Sequence, residues 1–242
     1  KHRSIRKFRS EPIAPEVLQD MLEAASRAST CGNMQLYSLI VTQSRELREA
    51  LAPCHFNQPM VTQAPCVITV CADVHRFSMW CEQRDAEPCY DNFAWFLNGV
   101  TDALLAAQNL CVEAEAHGLG ICYLGTTIYT AEEIARILDL PKGVIPVTTI
   151  VVGHPDESPE LTDRLPLDAV VHCEKYHHYT SSEIDELWAE KETSEETRRL
   201  LEENGLPNLA QIFTRNRYRA EDNLAISRNY FALLKKQGFF NN

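Results

Sequence analysis

Gly118-Leu119-Gly120-Ile121-Cys122-Tyr123-Leu124-Gly125 is the stretch whose reading decides the fold. It follows the longest helical pattern in the chain, residues 92–117, in which Phe96, Val100, Ala103, Leu104, Ala107, Leu110, Cys111 and Ala114 recur at helical spacing. Gly118 ends that helix, and the residues from Gly120 read as a short strand. The paired glycines invite a dinucleotide-loop reading. That reading fails, because the third glycine stands at Gly125 and the pair precedes a strand instead of following one.

Working outward, residues 65–73 form an almost wholly apolar run, predicted to be a strand buried on both faces, and 144–153 another strand. A short β-prone run covers 36–42. Residues 15–29 read as a helix opened by Pro15, 44–51 as a short helix capped by Ser44, and 130–138 as a helix opened by a Thr130/Glu133 capping box. Residues 77–92 carry turn residues, charges and Trp80 without clear period and read as a loop or lid. Residues 155–166 are Pro-rich and predicted to be irregular. From residue 183 onward the chain holds 11 acidic and 9 basic residues, with a Gly-Leu-Pro break at 205–207, and reads as polar helices that wrap the main domain or a partner subunit.

The 242 residues include 23 Lys plus Arg against 34 Asp plus Glu, a net charge of −11, which argues against nucleic-acid coating. No apolar run approaches a membrane span, and no apolar segment follows the basic first residues as in a signal peptide. The 9 cysteines are odd in number, several (Cys66, Cys71, Cys111 and Cys122) lie in apolar runs, and none forms C-x-x-C, so they read as free thiols in a reducing, cytoplasmic setting. Common hydrolase, metalloprotease and P-loop motifs are absent. His172, Cys173, His177 and His178 match no common metal spacing, and no metal is expected.

Basic residues concentrate in two places. Three of the first six are Lys or Arg, counting Lys1, and three of the five from Arg215 to Arg219 are Arg. Either cluster reads as a solvated charge run or as an anion site, where guanidinium, hydroxyl and backbone N–H groups would meet a phosphate.

Taken together, His2-Arg3-Ser4-Ile5-Arg6-Lys7-Phe8, the Arg164-Leu165-Pro166 that follows Gly153-His154-Pro155, and Gly118 to Gly125 resemble the nitroreductase family, in the branch of NADPH-dependent nitroreductases and flavin reductases with long C-terminal extensions. The resemblance implies an α+β fold, a three-layer sandwich in which helices flank a mainly antiparallel sheet. It also implies an intertwined homodimer, with a core over 1–180 and a helical extension over 181–242. FMN would be the cofactor and NADPH or NADH the electron donor. His2, Arg3, Ser4 and Arg164 would surround the FMN phosphate. Arg6 would reach the pyrimidine edge of the ring, where negative charge collects on reduction. Gln58 would hydrogen-bond the ring, Tyr123, Leu124 and Gly125 would line one face, and Thr30, Cys31 and Gly32 would approach from the other subunit. Plain core packing is the alternative for Tyr123, Leu124 and Cys31. Arg215, Arg217 and Arg219 resemble the loop that recognises the NADPH 2′-phosphate.

The implied reaction is ping-pong reduction of small planar electron-poor compounds (nitroaromatics, quinones or free flavin), with no side-chain nucleophile. Other flavin chemistry on the same fold, such as reductive dehalogenation or flavin destruction, is the alternative, as is a flavin-binding module without turnover. The sequence departs from the family pattern in three places. Thr162 stands where a phosphate-loop Lys is common, Ala94 where a Glu often lies, and the short helix that usually precedes His-Arg-Ser is absent, as if the natural chain starts upstream.

Overall fold

The computed structural model describes residues 2–240; Lys1, counted above among the N-terminal charges, lies outside them. The described residues form two compact units, one of those up to 160 together with those from 226 onward, the other of residues 161–225.

The first unit is built on four antiparallel strands in the order β1-β2-β4-β3: β1 (Tyr37–Thr42), β2 (Cys66–Asp73), β3 (Gly120–Leu124) and β4 (Val144–Gly153). All eight residues of the central β2 are buried, as its unbroken apolar run predicts. Its side chains alternate between two cores. Cys66, Ile68 and Val70 face one side, with Ile121, Ile150 and Val152, while Val67 faces the other, with Cys122, Leu124 and Val151. Helices α1 (Pro15–Ser26) and α5 (Phe93–Ala116) cover the first side. The N-terminal arm, through Ile5 and Phe8, and the segment containing α3 (Pro59–Gln63) cover the second. The sheet is thus sandwiched, and the fold is α+β.

Helix α5 packs closely because its inner face is small: Gly99, Ala103, Ala106, Ala107 and Ala114 are all buried. A Cβ on Gly99 would stand 3.0 Å from the Ala72 Cβ and 3.2 Å from the Leu36 carbonyl oxygen. Asn92 starts the helix, its side chain accepting from the Trp95 N–H at 3.3 Å. Helix α2 (Arg45–Leu51) is capped by Ser44, which accepts from the Leu47 N–H.

Two local expectations are corrected. The 77–92 stretch is not all loop, because α4 (His75–Glu82) occupies its first part and buries Cys81. Phe77, Trp80 and Tyr90 there, with Trp95 beyond, form an aromatic chain, edge-to-face at Phe77–Tyr90 and Tyr90–Trp95 and tilted at Phe77–Trp80. Thr130 makes no capping bond to α6 (Ala131–Ile137); its hydroxyl donates to the Cys54 carbonyl at 2.7 Å, a tertiary bond that displaces the local one.

The second unit holds α7 (Ser181–Thr193), α8 (Glu195–Asn204) and α9 (Leu209–Ile212), followed by a π-helical turn, Phe213–Arg217. Thr180 and Glu183 form a capping box on α7. Gly205 ends α8 with φ +61°, a left-handed conformation suited to glycine. The last helix, α10 (Ala220–Lys236), crosses the boundary between the units. Among the described residues no helix is long and apolar enough to cross a membrane, and no group of three or more His, Cys, Asp or Glu side chains is gathered to hold a metal ion. All nine cysteines are free.

Candidate functional site

The N-terminal arm is fixed by backbone bonds. Ile5 N–H donates to the Ile121 carbonyl at 2.9 Å, and Arg9 N–H to that of His154 at 2.9 Å. Ser4 thereby pairs with Ile121 as an isolated parallel bridge along β3. Contact is tight here: a Cβ on Gly120 would fall 2.6 Å from Ile5, so this position needs glycine. Buried Ile5 and Phe8 anchor the arm, and Arg6 and Lys7 are left exposed between them.

Acidic groups set the arm's electrostatics. The Arg6 and Lys7 N–H groups both donate to the Glu157 carboxylate, at 2.5 and 3.1 Å. His2 Nδ1 lies 2.6 Å from Glu115 of α5, so this predicted phosphate group already has a carboxylate partner. Arg3 is half-buried. Burial pushes the Cys122 thiol pKa up, opposed by the nearby Arg6 charge and by a hydrogen bond with the Ser4 side chain. Ser4, Arg6 and β3 are therefore brought together.

The Thr30-Cys31-Gly32 segment belongs to a left-handed loop, with positive φ at Gly32 (+54°), Asn33 (+56°) and Gln35 (+47°). One buried carboxylate holds it. Asp102, 2% exposed on α5, accepts from the Thr30 hydroxyl (2.5 Å), the Cys31 N–H (3.0 Å) and the Leu36 N–H (3.1 Å). Thr30 Oγ1 in turn accepts from the Gln35 N–H at 2.9 Å. The Thr30 hydroxyl is thus consumed within the loop, whereas Cys31 and Gly32 are exposed.

Gln58 lies on a second strained loop, after Phe56 (φ +54°) and Asn57 (φ +53°), and is half-buried ahead of α3. His55 beneath it is fully buried, and its Nδ1 stands 2.8 Å from the Thr126 hydroxyl oxygen. The Thr130–Cys54 bond and the Phe56–Tyr129 ring contact, 6.0 Å between centroids, tie the same two segments. Desolvation pulls the His55 pKa down to about 4, so the ring is neutral at neutral pH.

Tyr123, Leu124 and Gly125 divide by exposure. Leu124 is a core residue at 2% exposed, which favours the packing alternative for its side chain. Tyr123 is half-buried beside Cys111, whose thiol pKa burial pushes up to about 11. Gly125 is exposed, with open space where a Cβ would stand. Its backbone is therefore accessible to a flat ligand.

Arg164, Arg215, Arg217 and Arg219 all lie in the second unit. Arg164 is exposed and donates to the Thr162 hydroxyl (2.7 Å) and the Asp163 carbonyl (2.8 Å). Thr162, at the position where the family pattern commonly has lysine, thus orients the arginine, and the Asp163 carboxylate is taken by Lys191 at 2.9 Å. The three-arginine loop splits. Arg219 is paired with Glu221 and Asp222, at 3.2 and 2.8 Å. Arg215 and Arg217 meet no carboxylate among the described residues, and Arg217 lies over the Phe213 ring, 5.4 Å from its centroid.

The sequence reading missed Asp102 and His55. A carboxylate on the inner face of an Ala-rich helix was the available signal for the first. The second stood in Cys54-His55-Phe56, with nothing local to mark it as buried.

The Nitroreductase family model matches residues 1–154. An NADPH-dependent oxidoreductase of Staphylococcus aureus (strain USA300) is 36% identical over 181 residues, 73% of this chain and 72% of the relative. A crystal structure from Bacteroides fragilis NCTC 9343 superposes with TM-score 0.98 at 48% identity, covering 100% of this chain and 98% of that one. NfrA2 of B. megaterium gives 0.84 at 31%, covering 100% and 96%. The NADPH:FMN oxidoreductase from Vibrio harveyi complexed with NAD+ gives 0.82 at 27%, covering 100% and 96%. With the family model spanning the arm, the sheet and both anchored loops, and with its close structural match to NfrA-type proteins, the chain belongs to the nitroreductase family of enzymes.

Proposed function

We propose that the chain is an FMN-dependent, NADPH-using oxidoreductase that reduces small planar electron-poor compounds such as nitroaromatics, quinones or free flavin. The observation that carries this reading is the cluster on β3: the Ser4–Arg6 arm along the strand and the exposed Gly125 turn at its end. The residues present suit FMN. An exposed guanidinium on a backbone fixed by Glu157 and β3, a Ser4 hydroxyl and an open glycine turn match a ligand with a phosphate, an electronegative ring edge and a flat face. FMN held there would supply the redox chemistry that links a nicotinamide donor to the second substrate.

The protein's own part is orientation and charge. Arg3 and Ser4 hold the anionic end, Arg6 places positive charge at the ring's electronegative edge, and Gln58 supplies an amide from its strained loop. Gly125 lets the backbone approach the ring. The Cys31 and Gly32 loop, set by Asp102, is proposed to serve a second copy of the chain in a homodimer. Support for that copy comes from α5, which leaves Leu97, Leu104, Leu105 and Val112 exposed on the side away from its core face. Arg215 and Arg217, without carboxylate partners among the described residues, are the cations proposed for the NADPH 2′-phosphate; Arg219, already paired, is not.

Purified protein should take up FMN, bleach anaerobically with NADPH and recover its colour with a nitroaromatic. Protein that binds no FMN overturns the reading. Arg215→Ala with Arg217→Ala should raise KM for NADPH roughly tenfold more than KM for NADH, the scale of one lost charge-assisted pair, and Arg219→Ala should not.

A further inference from the structure

A neutral imidazole carries one N–H and one bare nitrogen. In His55, Nδ1 faces Thr126 Oγ1 at 2.8 Å, while Nε2 is buried and has no hydrogen-bond partner among the described residues. Two tautomers are therefore available. With the proton on Nε2, an N–H is orphaned in the core; with the proton on Nδ1, only a lone pair is. A buried unsatisfied N–H is the rarer and costlier outcome. The proton accordingly sits on Nδ1 and is donated to Thr126 Oγ1.

The consequence falls on Thr126. Its oxygen is used as an acceptor, so its own O–H is free to donate, and it makes no other hydrogen bond through Oγ1 among the described residues. Thr126 is half-exposed and directly follows Gly125, beside which there is open space. The bond cannot drift, because the Thr130–Cys54 bond and the Phe56–Tyr129 contact fix the two segments against each other.

We propose that His55 is a positioning residue which holds the Thr126 hydroxyl as a hydrogen-bond donor to an acceptor atom of the flavin lying against Gly125; this rests on the FMN reading above. Thr126 then touches the ligand, and His55 acts only through it.

The test uses the full chain loaded with FMN, reading the FMN dissociation constant and the visible absorption band of the bound flavin, with thermal unfolding of the FMN-free protein alongside. Thr126→Val should weaken FMN about tenfold, the worth of one hydrogen bond, and shift the band. Thr126→Ser should restore both. His55→Phe should reproduce the Thr126→Val loss, and adding Thr126→Val to it should cost nothing more. His55→Asn, whose amide N–H can stand in for Nδ1–H, should retain wild-type affinity and secures the test if the Phe variant folds poorly. Losses that multiply in the double variant, or a Thr126→Val band and affinity equal to wild type, overturn the inference. So does a fall in thermal stability with no change in the flavin. Wild-type protein that takes up no FMN instead fails at the earlier step, and the FMN reading falls with it.

Discussion

The two strained loops of the first unit are held in opposite ways. The 30–36 loop hangs on a carboxylate: Asp102 collects two backbone N–H groups and a hydroxyl from a single buried point. The 55–58 loop rests on a neutral ring that makes one side-chain bond, joined by a hydroxyl–carbonyl bond, an aromatic contact and the loop's own backbone bonds. A carboxylate offers about four lone-pair sites and accepts only, so it suits a loop whose exposed N–H groups need partners. An imidazole offers one donor and one acceptor, so it suits a site where a neighbour's hydrogen-bond direction must be set. The first anchor shapes backbone, and the second orients a side chain.

That contrast ranks the expected losses. Asp102→Ala orphans three donors at once, so it should destabilise the protein by about 3–5 kcal/mol, as for other broken buried networks. Chemical unfolding checks this, and a loss under about 1 kcal/mol would dissolve the distinction between the anchors.

The second break is by pH. His55 has a folded pKa of about 4 against an ordinary value near 6.5, because burial disfavours the charged ring. A base whose folded pKa is depressed contributes its full stability above the unfolded pKa, and loses it as pH falls from about 6.5 toward 4. Between pH 7.5 and pH 5 the wild type should therefore lose about 2 kcal/mol more than His55→Asn, measured by urea unfolding at each pH. Parallel losses in the two proteins would mean that the ring takes up its proton in place, without the cost of burial.

How far the sequence reveals these arrangements depends on how local the cause is. Strand β4 is legible to the residue, and β2 to within one, because buried strands are apolar runs bounded by turn residues. Helix α5 is legible to within one residue at each end from the helical spacing of its apolar residues. Helix α4 escapes notice because it buries only Cys81 and is held by the contact of Phe77 with Tyr90, beyond its own end and itself packed on Trp95. Thr130 with Glu133 matches a capping box by spacing, yet a carbonyl 76 residues away in sequence takes the hydroxyl. Asp102 and Thr30, separated by 72 residues, are partners only after α5 packs on the sheet. In the same way, the sequence marks Ser4, Arg6 and Gly125 as interesting, but only the arm's pairing with β3 shows that the arm and the strand form one place.

The smallest effects separate the anchors most finely, through two threonines that differ in what their hydroxyls join. Thr30 both donates to Asp102 and accepts from the Gln35 N–H, so Thr30→Val removes two bonds and leaves a backbone donor without a partner. Thr130 donates to the Cys54 carbonyl at 2.7 Å and only weakly, at 3.4 Å, to that of Thr126, which keeps its bond from the Tyr129 N–H, so Thr130→Val orphans no donor. Orphaned donors cost more than orphaned carbonyls, which keep a second lone pair. Thr30→Val should cost about 2 kcal/mol and Thr130→Val about 1, each read by urea unfolding at pH 7.5, above the range in which His55 titrates. Amide exchange makes the comparison local: the Gln35 N–H should lose protection in Thr30→Val, whereas Thr130→Val leaves it unchanged. Equal costs, or Gln35 protection unchanged in the first variant, would mean that the 30–36 loop is held by its chain geometry and not by the hydrogen bonds that converge on Asp102.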